Sequence, residues 1–130
     1  MLTKEQNELI CKVGPGTPGG DWFRRYWIAA GYSVDFKPGG QPKEVRLLGE
    51  DLVMFRDTAG RVGLIAEKCA HRRASLFYGR NEEDGLRCIY HGWKYDTEGN
   101  VLDTPAEPLG SRFKEKLHHP AYSTREVGGI

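Results

Sequence analysis

The sequence predicts a mainly β fold: an antiparallel β-sandwich or barrel preceded by one or two short N-terminal helices. Three features of the chain predict it. After Val34 the apolar residues come in short runs rich in β-branched and large side chains, "VRLL", "LVMFR" and "RVGLIA". The segments "GED", "DTAG" and "TEGN" punctuate the chain with turn chemistry at close intervals. Before Val34 the pattern is helical instead.

At the N-terminus, Thr3 followed by Gln6 fits a capping box, and Leu9, Ile10 and Val13 make a short apolar stripe. "GPGTPGG", Gly14 to Gly20, breaks that helix and lacks the Gly-Lys-Ser/Thr ending of a phosphate loop, so it reads as a linker. A second helix is expected from Asp21, with Trp22, Phe23, Tyr26 and Trp27 of "WFRRYW" spaced to pack on an apolar face. Residues 1–33 thus form a helical preface and residues 34–130 a β domain. Within that domain "LRCIY", "KYDTEGNVLD" and "AYSTREV" continue the strand signal, and "TEGN" is expected to be a hairpin turn.

Composition narrows the function classes. Nineteen basic and eighteen acidic side chains nearly cancel, which argues against a nucleic-acid binder. No apolar run approaches the roughly twenty residues of a membrane span, and the first ten residues lack the order of a secretory signal, favouring a cytoplasmic setting. Three cysteines cannot all pair within one chain. Cys11, far from the other two, reads as a free, half-buried thiol.

Cys69 and Cys88 differ because each has a histidine close by. Cys69-Ala70-His71 is followed by sixteen residues, Arg72 to Arg87, and then by Cys88-Ile89-Tyr90-His91. Both pairs fall between strand-like runs, so two loop tips would offer four donors. Thiolate and imidazole suit zinc or an iron–sulfur cluster. Zinc fingers usually pair cysteine with cysteine and histidine with histidine, and Gly92 argues against a ligand helix after His91. A two-iron cluster explains the mixed pairs better: Cys69 and Cys88 on one iron, His71 and His91 on the other.

"CAHR" and "CIYHGW" at this spacing resemble the Rieske motif. "RRYWIAAGYS", "VRLLGEDLVMFRD", "GRVGLIAEKCAHRRASLFYGRNEEDGLRCIYHGWKYDTEGN" and "AYSTREVGGI" are similar to the N-terminal domain of ring-hydroxylating dioxygenase large subunits, especially phthalate 4,5-dioxygenase-like ones. The resemblance implies a Rieske-type sandwich with a cluster-binding subdomain. It also implies that this chain is the front part of a longer oxygenase. That family usually has Pro in place of Ala70, Gly in place of Arg73 and Pro in place of Ala29. The first two changes lie in the first ligand loop, where Ala70 makes the backbone less stiff.

The implied role is electron transfer. Two ferric ions, two sulfides and two thiolates sum to zero when the other ligands are neutral imidazoles. Rieske centres therefore lie at roughly −150 to +300 mV, against about −400 mV for plant-type ferredoxins. With Trp93 after His91-Gly92 and no spare cysteine, few hydrogen bonds to sulfur and a potential near the lower end are expected. Tyr90, Gly92 and Trp93 surround the second pair, with Trp93 as cover. Arg72 is expected to anchor the first loop through a carboxylate. The imidazoles of His71 and His91 should lie nearer the surface, toward the electron acceptor.

Oxygen activation would need a mononuclear Fe(II) held by two histidines and a carboxylate. Only His118 and His119 remain; adjacent on a strand, they face opposite ways and read as surface or loop histidines. The resemblance places the catalytic iron in a C-terminal domain beyond this chain. It implies an NAD(P)H-dependent reductase or a ferredoxin as donor, and a homo-oligomeric ring for the parent. A stand-alone Rieske ferredoxin and a structural zinc module are the competing readings.

Overall fold

The computed structural model describes residues 1–130. Helix α1, Lys4–Cys11, begins with the predicted capping box: the Thr3 hydroxyl accepts from the Gln6 backbone and the Gln6 side chain accepts from the Thr3 backbone. None of its residues is buried. Leu9, Ile10 and Cys11 are exposed, so neither the apolar stripe nor a half-buried Cys11 is realised. About two turns of helix cannot bury a stripe without an opposing element, and the N-terminal end has none besides α2.

Helix α2, Pro18–Phe23, starts inside the expected linker, with Thr17 as cap and Pro18 at the first turn. It ends before Tyr26. Trp22, Tyr26 and Trp27 are exposed, 53%, 59% and 66% respectively, and pack on no core in this chain. The apolar cluster nearest them is closed by Phe36 and Ala30 instead. A cleft of about 540 Å³ remains there, lined among others by Trp27, Ile28, Phe36, Met54 and Ile130.

The β strands form two antiparallel four-stranded sheets, ordered β1-β2-β3-β8 and β4-β5-β6-β7. The first contains β1 Lys43–Leu47, β2 Glu50–Arg56, β3 Val62–Ala66 and β8 Ala121–Tyr122; the second contains β4 Arg80–Glu82, β5 Gly85–Arg87, β6 Lys94–Tyr95 and β7 Val101–Asp103. Leu48 and Gly49, both at positive φ, make the tight hairpin between β1 and β2. The sandwich expectation is met. "LRCIY" and "AYSTREV" are shorter strands than expected, because their remaining backbone groups bond elsewhere. Cys88 N–H closes a turn on the Trp93 carbonyl, and in the tail Val127 N–H closes one on the Ile130 carbonyl.

Strand β2 reads as an unbroken apolar run because both its faces are covered. Val53 and Phe55 point into the main core with Ile65 of β3; Leu52 and Met54 point to the other side with Leu64. The main core joins these residues to Leu86, Trp93, Tyr95 and Val101 of the second sheet and, at one end, to Cys69 and Cys88. Both thiols are thus inner-core residues. No helix is long and apolar enough to cross a membrane.

Candidate metal centre

Both Cys/His pairs sit on turns, as the sequence predicts. The first follows β3. Cys69 N–H donates to the Ala74 carbonyl, Arg73 N–H donates back to the Cys69 carbonyl, and a bridge between Lys68 and Ser75 closes the loop. The second is the tip of the β5–β6 hairpin, where Leu86 pairs with Tyr95 and Arg87 with Lys94. Cys88 N–H bonds the Trp93 carbonyl, and Gly92, at φ +76°, supplies the left-handed residue the turn needs.

These turns bring the four donors together. Cys69 and Cys88 are 2% and 3% exposed and free of disulfide bonds. The His71 and His91 rings lie 4.6 Å apart, centroid to centroid, at 65°. Both histidines are half-buried, so the imidazole side of the site is the outer one. Trp93 stacks on His71 at 4.9 Å, within 3° of parallel, and is itself 6% exposed. Tyr90 lies against His91 with ring centroids 3.8 Å apart.

Burial pushes the Cys88 thiol up, while the Tyr90 and His91 backbone N–H groups favour its thiolate. Burial pulls His71 down, which keeps a neutral imidazole lone pair available. Nδ1 of His71 is buried without a hydrogen-bond partner. Two buried free thiols and an unpartnered imidazole nitrogen are groups that a metal satisfies. A two-iron cluster asks for two protein ligands per iron, and two thiols and two imidazoles meet here. The donor set therefore fits a [2Fe–2S] group.

The expectation of few hydrogen bonds to sulfur is not met. The Tyr95 hydroxyl, fully buried, lies 3.0 Å from the Cys69 sulfur and accepts from Ala70 N–H at 3.2 Å. Burial raises the Tyr95 phenol far above its ordinary value, so it keeps a proton that it can donate to a Cys69 thiolate. Tyr95 is a site residue that the Cys/His spacing does not point to, although it lies two residues after Trp93 and shares its core cluster. His119 is not a surface residue: it is 1% exposed, while His118 is exposed. Its ring lies 4.5 Å from the Tyr95 ring.

Arg72 is exposed and pairs with no carboxylate. The anchoring guanidinium is that of Arg87, which bonds the Gly92 carbonyl, Glu82 and Asp103. Arg73 stands at φ +57°, in the left-handed region that glycine adopts without strain. Arg73→Gly is accordingly expected to stabilise the chain by up to about 1 kcal/mol, the relieved strain outweighing the extra unfolded-state freedom. Chemical denaturation checks this, and a lower midpoint for the glycine variant would contradict it.

The comparisons with known proteins agree with this geometry. Over 131 residues the chain is 52% identical to the phthalate 4,5-dioxygenase oxygenase subunit of Pseudomonas putida, covering 100% of this chain and 30% of that protein. It is 45% identical to the 3-chlorobenzoate-3,4-dioxygenase oxygenase subunit of Comamonas testosteroni, covering 99% of this chain and again 30% of the relative. The chain thus spans about a third of the length of these curated relatives. Among solved structures, Pseudomonas putida CBB5 NdmA superposes with a TM-score of 0.73 at 29% identity, over 84% of this chain and 34% of that one. Dicamba monooxygenase superposes with a TM-score of 0.70 at 25% identity, over 80% and 32%. The match to the family model described as "Rieske [2Fe-2S] domain" covers residues 26–114 and takes in both Cys/His turns. That match displaces the zinc-module reading: the chain belongs to the Rieske [2Fe–2S] domain family.

Proposed function

We propose that Cys69 and Cys88 hold one iron of a [2Fe–2S] cluster and His71 and His91 the other, and that the chain passes electrons through that cluster within an aromatic-ring-hydroxylating oxygenase. Residues 34–130 are the cluster domain and residues 1–33 its preface. The observation that carries the reading is the meeting of two buried thiols and two half-buried imidazoles at the tips of two turns. Once bound, the cluster takes up and gives out one electron at a time.

The residues around it have separable tasks. Trp93 and the surrounding core exclude water from the thiolate side. The Tyr95 hydroxyl and the Tyr90 and His91 N–H groups donate to sulfur, which favours the more negative, reduced state. His71 and His91 form the outer edge through which the electron leaves. In the parent protein the acceptor is a mononuclear Fe(II) in the part beyond this chain. The donor is an NAD(P)H-dependent reductase or a ferredoxin, the substrate an aromatic acid such as phthalate, and the assembly a homo-oligomeric ring. The oxygenase-subunit names of the relatives support this reading over a stand-alone ferredoxin.

The test is spectroscopic. The reconstituted chain should contain two irons and two acid-labile sulfides per molecule, absorb in the visible and give a rhombic EPR signal on reduction. A colourless protein holding stoichiometric zinc would sink the proposal. Tyr95→Phe should leave the cluster in place and lower its midpoint about tenfold in electron-transfer equilibrium, about 59 mV for one electron. A redox titration reads that shift, and an unchanged or raised midpoint would mean the phenol does not act on the sulfur.

A further inference from the structure

We propose that His119 is a positioning residue for the metal centre: its buried ring holds the Tyr95 phenol on the Cys69 sulfur and through that contact sets the electron affinity of the cluster. The inference rests on the reading that Cys69, His71, Cys88 and His91 hold that cluster. It concerns a residue outside the matched residues 26–114.

The residue is fixed through its ring and through its backbone. Nε2–H donates to the Ala66 carbonyl at 2.8 Å, which anchors the imidazole to the last residue of β3, three positions before Cys69. The His119 backbone N–H donates to the Gly99 carbonyl at 2.8 Å, in the turn that follows Tyr95. Ala66 N–H in turn donates to the Pro120 carbonyl at 2.8 Å. His119 therefore ties together the strand leading into the first Cys/His turn and the hairpin carrying Tyr95.

The ring then lies against the phenol, centroids 4.5 Å apart and planes inclined by 37°. The Tyr95 hydroxyl makes both of its contacts, to the Cys69 sulfur and to Ala70 N–H, at the first Cys/His turn. A phenol free to swing as a whole about its Cα–Cβ bond would carry the hydroxyl away from both, and the His119 ring packed on its face opposes that swing. Packing alone does not account for a histidine here. Nδ1 is buried without a partner, and a leucine would fill similar space without burying an unpaired lone pair. What only the histidine supplies is a flat ring whose angle is set by a hydrogen bond to the strand before Cys69.

A double-mutant cycle on the cluster-loaded chain tests the inference, with the midpoint potential as readout. His119→Leu should lower the midpoint by about threefold or more in electron-transfer equilibrium, about 28 mV for one electron. In a Tyr95→Phe background the same substitution should add no shift, because the histidine acts through the phenol. An unchanged midpoint in H119L, or a shift of equal size in both backgrounds, overturns the inference. A role in stability alone would change the melting temperature and leave the midpoint where it was. Should H119L fail to retain the cluster, His119→Gln keeps an N–H for Ala66 and is read by the same cycle and the same two criteria. A wild-type chain that takes up no [2Fe–2S] cluster would instead overturn the reading of the site, so the two failures are distinguishable.

Discussion

Cys88→Ala is expected to abolish the cluster completely while leaving a folded β sandwich. Cys88 is 3% exposed and lies in the main core beside Cys69, so replacing its sulfur with hydrogen leaves a small void and costs the apo chain about 1 kcal/mol. In the proposed cluster each iron would draw on only two protein ligands, so the loss of one thiolate would open its iron to exchange. Iron and acid-labile sulfide should both fall to background, and the visible absorption and the reduced EPR signal should vanish together. Cys11→Ala is the matched control. Cys11 is exposed on α1, where its thiol meets only the Asn7 side chain at 3.5 Å, and its removal should change none of these readouts. A Cys88→Ala protein that retains iron and sulfide near wild-type content would remove Cys88 from the ligand set. A Cys11→Ala protein without cluster would do the same for the division of labour among the three cysteines.

That separation of Cys11 from Cys69 and Cys88 is legible in the sequence because it depends only on close neighbours. Each Cys/His pair lies within four consecutive residues, and the turns that carry it are local: Cys88 to Trp93, Cys69 to Ala74. The strands are legible for a related reason. β2 and β3 are buried on both faces and read as unbroken apolar runs, which amphipathic helices never do. What escaped reading depends on distant pairing. Tyr95 reaches Cys69 across 26 positions, and His119 reaches Ala66 across 53. Strand alternation says that one of His118 and His119 faces inward, yet it cannot say what waits there. The N-terminal aromatics went wrong by the opposite route. Trp22, Tyr26 and Trp27 have the composition of a packed face, but what covers a face is decided by the elements opposite it, and here Phe36 and Ala30 already close the neighbouring cluster.

Arg87 shows the same limit, and its replacement carries the largest stability effect expected. Arg72 is expected from the sequence to anchor its loop through a carboxylate; the guanidinium that holds carboxylates beside the site is that of Arg87, which adjoins Cys88. Its Nη1 donates to the Gly92 carbonyl at 2.5 Å and to Asp103 at 2.8 Å, and its Nε donates to Glu82 at 2.7 Å. One guanidinium thus ties β4, β7 and the turn carrying His91, a fork that a lysine ammonium cannot reproduce. Arg87→Ala leaves the Gly92 carbonyl unpaired and two carboxylates without their shared cation. Charge-assisted bonds are worth more than neutral ones, but this group is 20% exposed and Glu82 keeps Arg80, so the loss expected is about 2–3 kcal/mol. Arg87→Lys should recover less than half of it. Denaturant unfolding checks both, and a loss below about 0.5 kcal/mol for the alanine variant would contradict the anchoring role. Acid gives an independent reading. The Arg87 hydrogen bond is the main cause holding the Glu82 carboxyl below its ordinary 4.5. A depressed carboxylate contributes stability fully above that ordinary value and loses it as pH falls through the lowered one. The wild-type chain should therefore shed stability on acidification below about pH 4.5 through Glu82. Arg87→Ala, with that cause removed, should show a flatter acid limb, and the two curves should draw together as Glu82 becomes protonated in both.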